Sequence, residues 1–401
     1  MSVLKGKRIL LGVTAGIAAY KTAWIVRLLV KSGAEVKVVM TPAAKDFITP
    51  LTLSTLSKNE VFSTFTNEED ENAQWNNHVE LGLWADLLLI APATANTLAK
   101  MSTGVCDNLL LAVYLSAKCP VFYAPAMDLD MYRHPSTQNT FAKLEEFGNV
   151  QIPAGHGELA SGLVGKGRMA EPEEIVSFLE DYYERGLPLK GKKVLITAGP
   201  TYEAIDPVRF VGNHSSGLMG FQLAERAAAL GAQVTLISGP THLNVSSDAI
   251  DLVRVVSAQD MFHAVSERFP TTDIGIFAAA VADYRPADVA DQKIKKTGGT
   301  LDIKLEKTQD ILGWAGSNKK AQFLVGFALE TQNELDNAKK KLQKKNLDLI
   351  VLNSLRDPGA GFKSKTNKVT LIDKSGSVTP FELKDKAAVA ADILDHIIKQ
   401  Q

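Results

Sequence analysis

The chain has 401 residues, more than one hydrophobic core usually organises, so its length predicts two domains. Its 45% hydrophobic and 22% charged residues are typical of globular proteins, and a formal net charge of -1 gives the chain no field that would draw it to nucleic acid or an anionic membrane. Two cysteines are too few for a disulfide framework or a zinc cluster. The sequence shows no secretory signal and no run of about 18 apolar residues. We therefore expect a cytoplasmic protein with small-molecule partners and no membrane contact.

The first half of the sequence alternates strand and helix patterns. Residues 7–13 predict a buried strand, residues 17–33 a helix, and residues 34–41 a second strand. The short apolar segments LLLIAPAT and VFYAPAM are typical of strands in a parallel sheet, and EPEEIVSFLEDYYERG predicts a closing helix. The segment GLPLKGKK that follows has the composition of an exposed connector, so we place a domain boundary near Pro188.

The same alternation restarts after the connector. KKVLITAG, AQVTLISG, DIGIFAAAV, FLVGFALE, LDLIVLN and KVTLID predict strands, while GFQLAERAAALG and the basic AKKKLQKKN predict helices. We therefore expect an α/β protein of two domains, residues 1–188 and 189–401, each a mostly parallel sheet with helices on both faces.

The turn after the first strand is a candidate anion site. Gly12, Thr14 and Gly16 lie where a strand feeds a helix, so free backbone N–H groups and the Thr14 hydroxyl could hold a phosphate. An ordinary tight turn explains the glycines equally well. Because they do not form G-x-G-x-x-G, a nicotinamide dinucleotide site has no fingerprint here.

Asn96 and Thr97 follow a predicted strand at the carboxyl edge of the sheet, where ligands usually dock in such folds. The alternative is that they only cap a helix that begins at Leu98. His78 precedes the same strand, but a lone histidine is more often a surface or hydrogen-bonded residue than a catalyst.

Taken together, these segments resemble the flavin-binding cysteine decarboxylases. The similarity runs in order through GVTAGIAAYK, VMTPAAKDFI, the His78 segment, APATANTLAK, APAMDLDMY and GELASGLVGKGRM. It implies a flavodoxin-like domain whose FMN accepts and returns an electron pair, so that a cysteine carboxylate can leave as carbon dioxide. It also implies that His78 is the active-site base. The FMN contacts that the resemblance implies are Gly12, Thr14, Gly16, Thr41, Asn96, Thr97 and Met127.

Two positions depart from that family. Many members carry asparagine where this chain has Asp128, and cysteine where it has Ser161 in the ASG of residues 160–162. An ionised Asp128 would repel the substrate carboxylate, so either Asp128 is protonated, through burial or a like-charge neighbour, or it contacts another part of the substrate. A hydroxyl is a far weaker acid than a thiol, so Ser161, a water molecule and Tyr132 are all candidates for the last proton donor. The glycines around Ser161 predict a mobile lid, in which Ser161 is equally well a plain loop residue.

A long polar loop follows the first strand of the second half. Ser215, Ser216 and Gly217 lie where the next helix must begin, so they either cap this helix or grip a phosphate, with Arg209 and Asn213 nearby in sequence. Further on, Asp283 ends a strand and could hold a divalent cation. Two basic runs follow, KIKK with Lys293, Lys295 and Lys296, and KKKLQKK with Lys341 and Lys345. Their ammonium groups are either solvated or bind the phosphates of a triphosphate.

This half is similar to the phosphopantothenate-cysteine ligases, through the IDPVR, NHSSG, AVADYRP, KIKK and VGFALET segments. The resemblance implies a Rossmann-like domain in which CTP and Mg²⁺ activate phosphopantothenate as an acyl cytidylate that cysteine then attacks. It implies that Asn213 handles this intermediate, that Arg209 contacts substrate, and that Lys293 offsets charge at phosphorus. The other nucleotide contacts that we assign to this half are Ser215, Ser216, Gly217, Ala280, Asp283, Phe327, Lys341 and Lys345. Leu218 stands where many members have lysine.

Both halves together resemble the bifunctional proteins of coenzyme A biosynthesis, in which ligation supplies the substrate of the decarboxylation that yields 4'-phosphopantetheine. The resemblance implies a homo-oligomer, such as a dodecamer of trimeric flavin domains and dimeric ligase domains. One alternative is an active ligase fused to a flavin-binding module without decarboxylase activity, suggested by Asp128 and Ser161. A second alternative, suggested only by the paired α/β halves, is a nicotinamide oxidoreductase.

Overall fold

The computed structural model describes residues 2–66, 75–159, 161–295, 300–330, 332–354 and 364–401. Residue 160 of the ASG segment and Lys296 of the first basic run lie outside these ranges. By contacts the chain divides into two units, Ser2–Arg185 and Gly186–Gln401. No helix in the described ranges is long and apolar enough to cross a membrane.

The first unit alternates strands and helices along the chain. Its strands are β1 (Arg8–Val13), β2 (Glu35–Met40), β3 (Val61–Phe62), β4 (Leu87–Ala93), β5 (Val121–Pro125), β6 (Val150–Gln151), β7 (Gly155–Glu158) and β8 (Val164–Arg168). Its helices are α1 (Thr22–Lys31), α2 (Pro50–Ser57), α3 (His78–Trp84), α4 (Ala95–Thr103), α5 (Leu109–Ser116), α6 (Leu129–Arg133), α7 (Pro135–Glu146) and α8 (Pro172–Arg185). Short 3-10 helices cover Ile17–Lys21 and Pro42–Asp46.

The first sheet is parallel, with the strand order β3-β2-β1-β4-β5-β6. Apolar residues of β1 and β4 are buried on both faces of this sheet. On one face Leu11 and Leu89 pack with residues of α1 and α8, and on the other Leu10 and Leu88 pack with residues of α4 and α5. This double burial explains why these strands are continuous apolar runs in the sequence.

The strand order reverses between β1 and β4, so the loops after these strands diverge and leave a crevice at the carboxyl edge. The predicted α/β class is confirmed. Within that class, the order 3-2-1-4-5-6 differs from the 2-1-3-4-5 order of flavodoxin itself, a difference that apolar periodicity does not encode. The hairpin of β7 and β8 lies outside the sheet.

The second unit repeats the alternation. Its strands are β9 (Lys193–Ala198), β10 (Tyr202–Ala204), β11 (Phe210–Gly212), β12 (Gln233–Ser238), β13 (Ile250–Arg254), β14 (Ile274–Phe277), β15 (Tyr284–Pro286), β16 (Leu305–Lys307), β17 (Phe323–Glu330), β18 (Leu349–Ser354), β19 (Thr366–Asn367), β20 (Val369–Asp373), β21 (Val378–Pro380) and β22 (Lys384–Asp385). Its helices are α9 (Leu218–Ala229), α10 (Ala258–Arg268), α11 (Ile311–Asn318), α12 (Glu334–Lys344) and α13 (Lys386–Lys399). A short 3-10 helix covers Phe269–Thr271.

The second sheet has the order β13-β12-β9-β14-β17-β18-β20-β21. It is parallel from β13 to β18, and the last two strands run antiparallel, so the prediction of a mostly parallel sheet is confirmed. Helices cover both faces: Ala224 and Ile393 pack on one, and Val265 and Ala338 on the other. The strand order reverses between β9 and β14, which places a second crevice at this carboxyl edge.

Three predicted elements have different limits in the structure. The helix expected over residues 17–33 is a 3-10 turn followed by α1, and the strand expected over residues 273–281 ends at Phe277. Beyond Phe277 the chain is still rich in alanine and valine but forms a loop at the crevice, so apolar composition alone overextends the strand. The helix expected to begin at Leu98 begins at Ala95.

Candidate active sites

A cavity of about 1030 Å³ opens at the carboxyl edge of the first sheet, a size at the upper end of the range for small-molecule sites. The loops that follow β1, β2, β4 and β5 form its walls. Six of the residues predicted for the flavin site line this cavity: Gly16, Thr41, Asn96, Thr97, Met127 and Asp128.

The lining suits a molecule with an apolar ring system and a polar or anionic end. Ile17, Met131 and Met169 contribute apolar surface. The Thr41 hydroxyl oxygen is buried and has no hydrogen-bond partner among the described residues, so it is available to a bound molecule. The first turn of α4 also borders the cavity, and its N–H groups and dipole favour an anion. These features fit FMN.

Thr94, which the sequence analysis did not single out, caps α4. Its hydroxyl accepts a hydrogen bond from the Thr97 N–H at 3.5 Å. Neither Asn96 nor Thr97 caps the helix, because both lie within its first turn, so the alternative that gave them only a capping role is wrong. A threonine directly before a helix was the signal that could have identified this cap.

Thr14 and Gly12 lie behind the cavity wall. Thr14 is 1% exposed, and its hydroxyl donates to the Pro92 carbonyl at 2.7 Å and accepts from the Thr94 N–H at 3.2 Å. Gly12 lies within β1, where a Cβ would approach Leu110 Cδ1 to 2.6 Å. In this structure Thr14 connects the loops after β1 and β4, and Gly12 allows close packing below them.

The hairpin of β7 and β8 is docked on the cavity rim through its last strand. Gly167 has a φ of +141°, and a Cβ on this residue would lie 2.5 Å from the Met127 carbonyl oxygen. The Met127 N–H donates to the Gly167 carbonyl at 3.0 Å. Glycine is therefore required where the hairpin meets the segment that carries Asp128.

A buried cation strengthens this docking. The Lys21 side chain is 6% exposed, and its ammonium donates to Glu171 at 2.9 Å and to the Met169 carbonyl at 3.2 Å. Arg168 donates to the same Glu171 oxygen at 2.6 Å. The Lys21 hydrogen bond lowers the pKa of the Glu171 carboxyl, against the opposing effect of partial burial. No local sequence feature indicates this network, because Lys21 and Glu171 are 150 residues apart.

Asp128 differs from the other acids near this cavity. It precedes α6, yet its side chain does not cap that helix. Asp107 is paired with Lys100 at 2.5 Å, and this hydrogen bond lowers the pKa of the Asp107 carboxyl. Asp128 and Glu158 line the same cavity, and within the described part of the chain neither pairs with a cation.

Three predicted catalytic candidates do not line the cavity of their own chain. His78 begins α3, with its ring centroid 6.0 Å from that of Phe65 and 6.4 Å from that of Trp75. Its Nδ1 is buried without a partner in the described ranges. Ser161 is exposed between β7 and β8. The Tyr132 hydroxyl accepts a hydrogen bond from Gln151 at 3.3 Å, away from the cavity.

A second cavity, of about 960 Å³, opens at the carboxyl edge of the second sheet. It is bordered by residues 213–220, by the loop that follows β14, and by Phe327, Ala328 and Leu329 of β17. The predicted residues that line it are Asn213, Ser215, Ser216, Gly217, Ala280, Asp283, Phe327, Lys341 and Lys345. These residues come from four separate segments of the sequence, which the switch in strand order brings together.

Threonines hold the loop that carries Ala280 and Asp283. The Thr197 and Thr201 hydroxyls accept from the Ala279 and Ala282 N–H groups at 3.3 and 3.0 Å. The Asn213 amide donates to the Val281 carbonyl at 2.9 Å, so it joins the loop after β11 to the loop after β14. Ser215 and Ser216 accept from N–H groups two residues ahead and do not cap α9, whose N-cap is Gly217.

Lysines give this cavity a cationic wall. Lys341 donates to the Phe327 carbonyl at 2.8 Å, and its burial lowers the pKa of the ammonium group. Lys345 pairs with Asp310. Lys386, in the first turn of α13, also lines the cavity and is 5% exposed. Lys386 could not be predicted from the sequence, because only the fold brings the C-terminal helix to this edge.

Asp283 is the predicted metal ligand. It lies on the cavity wall, and among the residues that the structure describes no three histidine, cysteine or acidic side chains are grouped as a metal cluster. Mg²⁺ commonly binds proteins through one or two carboxylates and takes its remaining ligands from phosphates and water. This lining therefore fits a metal that arrives with a nucleotide and does not fit a permanent cage.

Arg209 and Lys293 lie outside the cavity lining. Arg209 pairs with the buried Asp206, whose carboxylate also accepts from the Ile294 N–H at 3.1 Å. Arg209 in turn donates to the Ile294 carbonyl at 2.9 Å. Lys293 and Lys295, on either side of this anchored residue, are exposed.

Comparison with known proteins gives a consistent result for both units. Residues 2–183 match the family model described as Flavoprotein. Residues 189–400 match the model described as DNA/pantothenate metabolism flavoprotein C-terminal domain.

Among curated proteins, the chain is 45% identical over 398 residues to the coenzyme A biosynthesis bifunctional protein CoaBC of Bacillus subtilis (strain 168), covering 98% of this chain and 97% of that protein. It is 46% identical over 398 residues to CoaBC of Haemophilus influenzae, covering 99% and 98%. A cysteine/cysteine sulfinic acid decarboxylase from an unknown prokaryotic organism is 56% identical over 356 residues, covering 88% of this chain and 99% of that protein.

Two solved structures each match about half of this chain. The crystal structure of the C-terminal domain of CoaBC is 45% identical, with a TM-score of 0.46, and covers 53% of this chain and 97% of that one. The FMN binding protein AtHal3 is 34% identical, with a TM-score of 0.39, and covers 45% and 98%.

Proposed function

The chain belongs to the family of bifunctional coenzyme A biosynthesis proteins, and from this premise we propose that its two units catalyse consecutive reactions. The second unit joins 4'-phosphopantothenate to cysteine with CTP. The first unit removes the cysteine carboxylate of that product to give 4'-phosphopantetheine. The observation that carries the proposal is the pair of large cavities, each at the switch point of a parallel sheet and each with a lining matched to one of the two chemistries.

The decarboxylase domain would comprise residues 1–188 and the ligase domain residues 189–401. The division of contacts after Arg185 and the limits of the two family models support this boundary. The connector between α8 and β9 is mostly exposed, but its Leu189 is buried in the core of the second unit.

In the first cavity, FMN would supply a reversible electron sink. Thr41 would donate the hydrogen bond that its buried hydroxyl does not make within the protein. Gly16, Asn96 and Thr97 would hold the polar end near the first turn of α4, where N–H groups are available. Met127 would contact the ring system.

His78 would reach a flavin held by a neighbouring copy of the chain. Its position away from the cavity of its own unit and the exposed aromatic Trp75 beside it support a site completed at a subunit interface. This arrangement requires a homo-oligomer and agrees with the trimeric flavin domains that the resemblance implies. Ser161, exposed on the hairpin, would face the same interface.

In the second cavity, Lys341 and Lys345 would neutralise phosphate charge, and Asp283 would hold Mg²⁺ carried by the triphosphate. Ser215, Ser216, Gly217 and Ala280 would offer hydroxyl and backbone groups, and Phe327 would contact the nucleoside. Asn213 would keep its amide oxygen for the acyl cytidylate, because its amide nitrogen is already bonded to the loop after β14. This cationic wall would lower the barrier for a carboxylate that attacks phosphorus.

Lys293 would move to the triphosphate from its exposed position. Arg209 would act indirectly, since its guanidinium is occupied by Asp206 and the Ile294 carbonyl and therefore positions the segment that carries Lys293.

The test is to follow both reactions in one preparation. Purified protein with CTP, Mg²⁺, phosphopantothenate and cysteine should release pyrophosphate and form phosphopantothenoylcysteine. The flavin-loaded protein should then release carbon dioxide. Lys293→Gln should abolish ligation and leave the flavin absorbance unchanged. The matched control is Lys320→Gln, which replaces another exposed lysine of the same unit and should ligate as wild type does. Ligation at the wild-type rate in Lys293→Gln would contradict the role of this lysine. If the flavin-loaded wild-type protein forms phosphopantothenoylcysteine but releases no carbon dioxide, the chain is an active ligase fused to a flavin-binding module.

A second candidate is decarboxylation of free cysteine or cysteine sulfinic acid by the first unit. The 56% identity to a protein named for that activity favours it. Comparing kcat/KM for cysteine, cysteine sulfinic acid and phosphopantothenoylcysteine decides between the two substrates. A higher value for either free amino acid would favour this second function.

A further inference from the structure

Any decarboxylation in the first cavity needs a proton at the carbon that loses its carboxylate. The carbon–carbon bond breaks, carbon dioxide leaves without the bonding pair, and that pair becomes a carbon–hydrogen bond, with no net oxidation or reduction. One proton is consumed in each turnover. A group in the cavity must therefore deliver a proton to this carbon.

The acids near the cavity differ in whether they can hold a proton. Glu171 is hydrogen-bonded by Lys21 and Arg168, and Asp107 by Lys100, so these carboxylates are kept ionised by their cations. The cations of the cavity wall are occupied in the same pairs.

Asp128 and Glu158 line the cavity without a cationic partner in the described part of the chain. Of the earlier donor candidates, Ser161 and Tyr132 do not line the cavity of their own chain, and under the proposed function Ser161 and His78 would approach a site only from a neighbouring copy.

The backbone holds Asp128 firmly in place. It follows Met127, which lies two residues beyond the end of β5 and which the docked Gly167 contacts and hydrogen-bonds. Its own carbonyl accepts the Tyr132 N–H at 2.9 Å, so the start of α6 is closed. Because the Asp128 carboxylate makes no cap on this helix, it remains available to a ligand in the cavity.

From this arrangement we infer that Asp128 is the acid of the first unit, which delivers the proton to the substrate carbon as carbon dioxide leaves. Two carboxylates brought into contact share one proton, because both cannot be ionised without strong repulsion. The substrate carboxylate thus keeps Asp128 protonated. When this carboxylate departs as carbon dioxide, the repulsion ends and Asp128 releases its proton to the new carbon centre. The inference rests on the proposed decarboxylation.

Binding without turnover provides the first test. The probe is the analogue of phosphopantothenoylcysteine with serine in place of cysteine, titrated calorimetrically into flavin-loaded protein in two buffers of different protonation enthalpy. Wild type should take up about one proton per analogue bound, as two contacting carboxylates require. Asp128→Asn should take up almost none, while Asp130→Asn, an exposed position on the same helix, should behave as wild type.

The assignment would be overturned if Asp128→Asn took up as many protons as wild type. It would also be overturned if Glu158→Gln, and not Asp128→Asn, lost the proton uptake. Failure of the wild-type protein to bind the analogue would overturn it as well. The charged groups that share this cavity, and whose titration must be compared, are Lys21, Lys100, Asp107, Glu158 and Arg168.

Turnover provides the second test. Loss of a general acid lowers kcat on the order of 10²-fold to 10⁴-fold, so Asp128→Asn should fall by this amount with flavin absorbance retained. If wild type releases no carbon dioxide from phosphopantothenoylcysteine, the decarboxylation itself is refuted, and the role of Asp128 with it. If wild type is active and Asp128→Asn matches it, only the role of Asp128 is refuted.

Discussion

Replacement of Gly316 by alanine tests whether the second cavity depends on close packing behind it. Gly316 lies in α11, where a Cβ would come to 1.9 Å from the Lys345 carbonyl oxygen at the end of α12. This oxygen belongs to the backbone and cannot rotate away, so α12 must shift by more than 1 Å to restore an ordinary contact of roughly 3.5 Å. Lys341 and Lys345 would move with the helix.

The magnitude follows from two opposing terms. Alanine gains about 1 kcal/mol over glycine within a helix, whereas overpacking costs about 1–3 kcal/mol, and a backbone clash belongs at the upper end. A net loss of about 2 kcal/mol would lower the Tm of this unit by about 4–8 °C. Displacing a charged group by about 1 Å can reduce kcat/KM on the order of 10²-fold, so we expect a marked rise in the KM for CTP.

The assay combines thermal unfolding with pyrophosphate release over a range of CTP concentrations. Ser317→Ala, an exposed neighbour on the same helix, is the matched control. Carbon dioxide release by the first unit should be unchanged in both variants. A Gly316→Ala protein with the Tm and CTP KM of the control would refute the reasoning.

Three further changes test contacts elsewhere. Gly167→Ala should cost about 1–3 kcal/mol and weaken FMN retention on gel filtration, because its Cβ meets the Met127 carbonyl. Thr14→Val should lower stability by about 1–3 kcal/mol in thermal unfolding, since two buried backbone groups lose their partner. The hydrogen bond from Arg209 lowers the pKa of the Asp206 carboxyl, so the ionised carboxylate stabilises the fold at pH values above its unfolded-state pKa of 3.8. Asp206→Asn should therefore have a lower free energy of unfolding than wild type at neutral pH. In denaturant titrations this difference should shrink as the pH falls below 3.8.

Each change has a matched control. The control for Gly167→Ala is Gly155→Ala in the same hairpin, where the added Cβ makes only an ordinary 3.6 Å contact. The control for Thr14→Val is Thr103→Val, at an exposed position of the same unit. The control for Asp206→Asn is Asp251→Asn, at an exposed position of the second unit. Full FMN retention in Gly167→Ala, wild-type stability in Thr14→Val, or a pH-independent deficit in Asp206→Asn would contradict the corresponding argument.

The sequence predicted both sheets because their strands are buried on two faces and therefore appear as continuous apolar runs. It also predicted most of the second cavity. Ala280 follows β14 and Phe327 lies in the carboxyl half of β17, and neighbouring parallel strands place such residues at one edge of the sheet. Phe327 was named through the family resemblance, and the strand order explains why it lines the cavity.

The contributions that depend on long-range packing were not predictable in this way. Lys21 and Glu171 are 150 positions apart, and no local feature of either indicates that they meet. Lys386 follows an aspartate that caps α13, so the helix start was readable, but its place beside the second cavity comes from the sheet order. His78 begins α3 and contacts the rings of Phe65 and Trp75, and it does not line the cavity of its own unit, which no local pattern around it indicates.

The Asp206 carboxylate has one more consequence for catalysis. It accepts a hydrogen bond from the Ile294 N–H, and its partner Arg209 donates to the Ile294 carbonyl, so the two peptide groups that flank Ile294 are both held in place. Lys293 and Lys295 therefore extend from a backbone that is held in place, while their side chains are exposed and can change conformation. Under the proposed ligation, these ammonium groups would follow the negative charge from the triphosphate to the departing pyrophosphate while the backbone of Ile294 stays in place. The entropy of ordering this loop is then lost once, on folding, and not again in every catalytic cycle.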